Sequence, residues 1–102
     1  MKKEVVISNK ARKSVREIFE YIREREKSIK TAKYVKNKIL EKCKSLSSFS
    51  GYSIDPFLEE FPEKYQSVSI WDYVIIYLTD DKQVKVLNVV HCKRHPDIRK
   101  EI

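Results

Sequence analysis

A chain of 102 residues is the size of one domain and too short for two independent ones. Apolar types at 41 %, with one glycine and three prolines, exclude disordered, collagen-like and low-complexity classes. Charged residues reach 36 %, and 22 Lys and Arg against 15 Asp and Glu leave a net +7, which favours an anionic partner of unspecified kind.

The first element in chain order is Glu4-Val5-Val6-Ile7, a short run of β-branched residues that reads as a strand. Ser8 or Asn9 can then cap a helix by accepting an orphan backbone N–H. In that helix Ala11, Val15, Ile18, Phe19 and Ile22 recur at the three-and-four spacing of one apolar stripe. Glu20 gains a partner in Arg23, three residues on. A second helix fits residues 29–47 behind a Ser28 cap. Ala32, Val35, Ile39, Cys43 and Leu46 make its stripe, while Lys30, Lys33, Lys36, Lys38, Lys42 and Lys44 dominate the rest. The short polar break between the two predicts an antiparallel hairpin.

Serines, the lone Gly51, Pro56 and Pro62 punctuate the long connection that follows, where Phe57, Leu58 and Phe61 suit one helical turn lidding the core. From Tyr65 the period becomes two: Val68 and Ile70 alternate with Ser67 and Ser69. Tyr73-Val74-Ile75-Ile76-Tyr77-Leu78 reads as a strand buried on both faces. Asp80-Asp81-Lys82 supplies a tight turn, and Val84 to Val90 returns as another strand. The expected fold is α+β over residues 1–102, one domain: an N-terminal strand, an antiparallel helical hairpin, then a three-stranded antiparallel meander. The helices pack on one small sheet, and the first strand joins that sheet with the hairpin as its crossover.

Charge is segregated along the chain. Residues 1–48 hold 15 bases against six acids, residues 49–81 one base against seven acids, and residues 82–102 six bases against two acids. Such a layout suits either a basic face built by the two ends or ordinary solvated lysine-rich helices. No apolar run is long enough to span a bilayer or to resemble a secretory signal, so a cytoplasmic protein with no membrane partner is expected. Cys43 and Cys92 match no metal or redox spacing and read as reduced, partly buried thiols, with a disulfide as the alternative.

The densest polar cluster is His91-Cys92-Lys93-Arg94-His95-Pro96-Asp97, where the last strong strand ends. Its cations can bind phosphate or carboxylate, and His91 can move a proton near neutral pH, or it can be a packed, hydrogen-bonded histidine. Asp97 can accept from Arg94 or cap the turn after Pro96. His91 and His95 are four apart, but on a chain leaving a strand they do not align as metal ligands, so no metal and no cofactor are expected. Tyr73 and Tyr77 share one side of a strand and serve either as a core belt or as stacking surfaces.

The assembled pattern resembles the RelE/ParE superfamily of type II toxin–antitoxin toxins, nearest to its plasmid stabilisation branch. The matching pieces are Val5-Val6-Ile7-Ser8 with Ala11, Ile18-Phe19-Glu20-Tyr21-Ile22, Tyr65 with Ser67-Val68, Tyr73-Val74-Ile75-Ile76-Tyr77, and Val89-Val90-His91 leading to Arg94. They span nearly the whole chain. The resemblance implies a small cytosolic α+β toxin neutralised by a cognate antitoxin encoded nearby. Some members of the superfamily inhibit DNA gyrase; others cut messenger RNA in the ribosomal A site.

Carried over residue by residue, the family's arginine near the end of the last strand is matched by Arg94, whereas the arginine often found after the opening tyrosine is Gln66 here. A messenger-RNA cutter would draw on His91 and Arg94 as catalytic groups. Target or phosphate binding would fall to Lys64, Lys93, Arg94 and His95. The chain ends Arg99-Lys100-Glu101-Ile102, without a terminal tyrosine, which leaves the acid–base set incomplete and places a gyrase-directed toxin ahead of a ribosome-dependent endoribonuclease. A non-toxic basic module that follows a nucleic-acid backbone is the third reading.

Overall fold

The computed structural model describes residues 3–48 and 65–91. Strand β1 spans Glu4–Ile7, helix α1 Asn9–Glu26 and helix α2 Ile29–Ser45, which passes into a single 3-10 turn at Leu46–Ser48. Three strands follow: β2 Gln66–Ile70, β3 Tyr73–Thr79 and β4 Gln83–His91. The α+β architecture expected from periodicity is the one observed. Helix α2 is two residues shorter than expected, because the Leu46 N–H turns back to the carbonyls of Cys43 and Lys44 and tightens the last turn.

Ser8 ties β1, α1 and the sheet together. Its Oγ accepts from the Ala11 N–H at 3.0 Å, capping α1, and donates to the Leu87 carbonyl at 2.9 Å. Its own N–H donates to the Val86 carbonyl at 2.9 Å. Such a cap is worth about 1 kcal/mol. At the far end Lys27 adopts the left-handed conformation (φ 52°, ψ 37°) and Ser28 at once caps α2 by accepting from Thr31 N–H at 3.2 Å. One left-handed residue and one cap therefore make the whole hairpin link. Arg23 pairs with Glu20 as their spacing anticipates.

The sheet order is β1-β4-β3-β2. β1 runs parallel to β4, with Glu4 opposite Gln83 and Ile7 opposite Val86; between them the chain passes through the helical hairpin and then β2 and β3, so that β1 and β2 form opposite edges of the sheet. β2–β3 and β3–β4 are antiparallel. The helices cover one face, where Ala11, Val15, Ile39 and Cys43 meet Ile75, Tyr77, Val84 and Val86 in one buried core. Val74, Ile76 and Val90 are buried on the opposite face, with Tyr65 packed against them. That accounts for β3 reading as an unbroken apolar run rather than an alternating one.

A β-bulge was not foreseen. Ile76 faces Asn88 and Tyr77 faces Val86, so Leu87 is the extra residue in β4. It lies where β1 stops pairing and α1 begins. Asn88, 4 % exposed, fills the gap in the ladder: its Oδ1 accepts from the Val89 N–H at 2.9 Å and from the Ser14 hydroxyl at 2.6 Å. The β3–β4 turn is closed by Asp80, whose Oδ1 accepts from the N–H groups of Lys82 at 2.8 Å and Gln83 at 2.7 Å. Among the described residues no helix is long and apolar enough to cross a membrane.

Candidate functional site

The antiparallel register of β3 and β4 sets Tyr73 directly opposite His91, at the end of the sheet from which the chain leaves β4. Residues directly opposite share a face, and Tyr73 packs at the rim of the helix-side core. The two rings meet edge to face, with centroids 5.3 Å apart and planes at 82°. The half-buried His91 imidazole thus has a fixed seat at the point where the basic segment begins.

Tyr77 shares the face of Tyr73, as a two-residue period requires, but their environments diverge. Tyr77 is completely buried among Ile75, Val84 and Val86, so its ring is a core element and presents no stacking surface. Tyr77 is thus a core side chain, whereas Tyr73 lies at the strand end against His91. Lys64, Cys92, Lys93, Arg94, His95 and Asp97 lie outside the described residues, as do Phe57, Leu58 and Phe61.

Gln66, where the resemblance led to an expectation of arginine, faces Tyr77 and accepts from the Thr79 hydroxyl at 3.0 Å. Four residues of β3 separate that register from Tyr73 and His91, roughly 13 Å at about 3.3 Å per residue. Position 66 and His91 therefore sit toward different ends of the sheet. Among the described residues no group of three or more His, Cys, Asp or Glu side chains could hold a metal ion.

Burial pushes the Cys43 thiol up to about 11 from 9.0, partly opposed by a backbone hydrogen bond, so it stays a neutral core side chain. The carboxyl of Asp80 is held below 3.8, chiefly by its two backbone N–H bonds from Lys82 and Gln83.

A second surface escaped the sequence reading. Trp71, in the two-residue β2–β3 turn, stands 53 % exposed beside the 56 % exposed Tyr34 of α2. Their ring centroids are 6.1 Å apart at 37°, and Lys38 Nζ lies 5.7 Å from the Tyr34 centroid. The sequence signals were a tryptophan inside a turn and a tyrosine off the apolar stripe of α2, both separable from core aromatics only after folding.

The sequence model described as ParE toxin of type II toxin–antitoxin system, parDE, matches residues 5–96. No curated protein matches the chain. Among solved structures, one described as the chromosomal ParDE TA system from P. aeruginosa superposes with a TM-score of 0.72 at 14 % identity, covering 89 % of this chain and 97 % of that one. At that identity the structural likeness speaks for the fold alone.

Proposed function

The chain belongs to the ParE toxin family of type II toxin–antitoxin systems, and from that membership we propose that it acts in the cytoplasm on DNA gyrase, within a plasmid-stabilising or related module. It would hold gyrase in its DNA-cleaved state, so that strand breaks accumulate while the toxin itself makes and breaks no bond. The observation that carries this reading is the match to the ParE branch over residues 5–96.

Arg94, three residues beyond His91, is proposed as the principal contact to the target. A guanidinium makes paired, directional bonds to carboxylate or phosphate that lysine cannot reproduce. The antitoxin is proposed to bring an acidic segment that folds on binding, complementing the basic N-terminal half.

Supercoiling by purified gyrase, with and without the protein, tests the reading. Inhibition with a trapped cleavage complex at micromolar protein is expected, weakened in Arg94→Ala and unchanged in Lys44→Ala on α2. Unimpaired supercoiling together with A-site cuts in translated messages would replace this reading with the endoribonuclease one. Normal growth after induction without a partner would replace both with a non-toxic binding module.

A further inference from the structure

Trp71 has a φ of 51°. A positive φ at the first position of a two-residue hairpin loop is a conformation glycine adopts freely and a bulky side chain adopts under strain. The strained residue is the chain's single tryptophan, and more than half of it remains in solvent. Core burial therefore does not explain the ring. Its described neighbour is Tyr34, itself 56 % exposed. An indole and a phenol meeting at the surface, one of them on a strained backbone, are placed for an external ligand.

The cations around the pair decide the kind of ligand. Lys30 and Lys38 stand one helical turn before and after Tyr34, on the same face of α2. Lys38 lies 5.7 Å from the Tyr34 ring centre and 3.3 Å from Glu41. Six lysines and no arginine occupy α2, against one acid. Protein interfaces enrich arginine and deplete lysine, whereas a sequence-independent phosphate contact needs only positive charge. Aromatic faces beside a lysine row are the components of a single-strand platform: bases stack and the backbone follows the charge.

We propose that Trp71 and Tyr34, with Lys30 and Lys38, form a stacking site for a single-stranded polynucleotide, at the same end of the sheet where Tyr73 faces His91. A base lies on the exposed indole face with the phenol as its side wall, while the phosphates run along α2. Recognition is independent of sequence, because every base offers a π-face.

Excitation of the single tryptophan reports on this end of the sheet, and the Tyr34 and lysine variants assign the response to this surface. The probes are oligothymidylate and oligouridylate of about a dozen nucleotides, within the site sizes such platforms cover. Either should quench Trp71, and the better of the two identifies the natural strand as DNA or RNA. Binding followed by the anisotropy of labelled probe should weaken roughly tenfold or more in Trp71→Gly, and less in Tyr34→Leu. Lys30→Gln and Lys38→Gln should instead flatten the dependence on salt. Glycine suits the turn, so Trp71→Gly should fold, with circular dichroism as the check; Tyr34→Leu carries the test if it does not.

The proposal is overturned if saturating probe leaves Trp71 emission unchanged. It is equally overturned if parent and both aromatic variants bind alike, or if a duplex quenches as well as the single strands. Stronger quenching by an acidic glutamate–leucine peptide would make the surface a protein-docking one and also overturn it. No gyrase enters this assay, so its outcome is distinct from that of the toxin reading.

Discussion

Ser14 on α1 donates its hydroxyl to Oδ1 of Asn88 on β4 at 2.6 Å, joining positions 74 apart in sequence at the point where the sheet bulges. The same Oδ1 receives the Val89 N–H, so one buried amide satisfies both the helix and the interrupted ladder. Asn88→Ala should therefore cost about 2 kcal/mol, since it leaves two donors without their acceptor. Ser14→Ala should cost about 1 kcal/mol, and a double-mutant cycle in urea should return a coupling of about 1 kcal/mol. Strict additivity would show that the pair is a bystander to the bulge.

Lys27 carries a left-handed backbone without the freedom of glycine. Lys27→Gly should stabilise the hairpin link by about 1 kcal/mol, raising the melting temperature by about 4 °C in a domain of this size. A lower melting temperature would mean that the entropy glycine adds to the unfolded chain outweighs the strain it removes.

Cys43 supplies an alkaline limit. Its thiol titrates at about 11 when folded and near 9.0 in the reference state, so between those values the folded chain holds the extra proton. The contribution is fully present below pH 9 and is lost as pH rises toward 11, with a slope approaching about 1.4 kcal/mol per pH unit. Cys43→Ala should flatten that part of the stability profile relative to the parent. Mass mapping after thiol labelling at pH 8 should also find Cys43 unmodified until denaturant is added; rapid labelling of the native protein would contradict its burial.

Asp80 sets the opposite dependence at the acid end. Its carboxyl is held below 3.8 by the N–H groups it accepts from, so the turn's contribution is present above that value and is lost as pH falls through the depressed one. Asp80→Asn keeps an oxygen acceptor for the turn and should remove the pH dependence while retaining most of the melting temperature. Asp80→Ala should lower the melting temperature at neutral pH. Equal melting of all three proteins would show that the turn closes without its side chain.

Much of this architecture was legible along the chain because its causes are local. Ser8 and Ser28 cap helices with their own hydroxyls, and the apolar stripes through Val15 and Ile39 recur at the helical period. The alternation at Val68 and Ile70 and the Asp80 turn likewise need only near neighbours to be recognised. The cluster beginning at His91 could be named for the same reason, since its residues are consecutive.

Tertiary structure decided what depends on contacts between distant segments. Sequence alone could not say whether Tyr73 or Tyr77 was the core residue: they share a face, and only the helices laid over it bury Tyr77 while leaving Tyr73 at the rim against His91. Nor could it place the bulge, because Leu87 and Asn88 look like ordinary strand residues until β1 ends at Ile7 and Ser8 and Ser14 arrive with polar groups to satisfy. The pairing of Tyr34 with Trp71 has the same origin: a helix face and a hairpin turn become neighbours only when α2 packs on the sheet. Local spacing determined the elements and most of their order, and burial, which is a property of the packed whole, decided which side chains became core and which stayed in solvent.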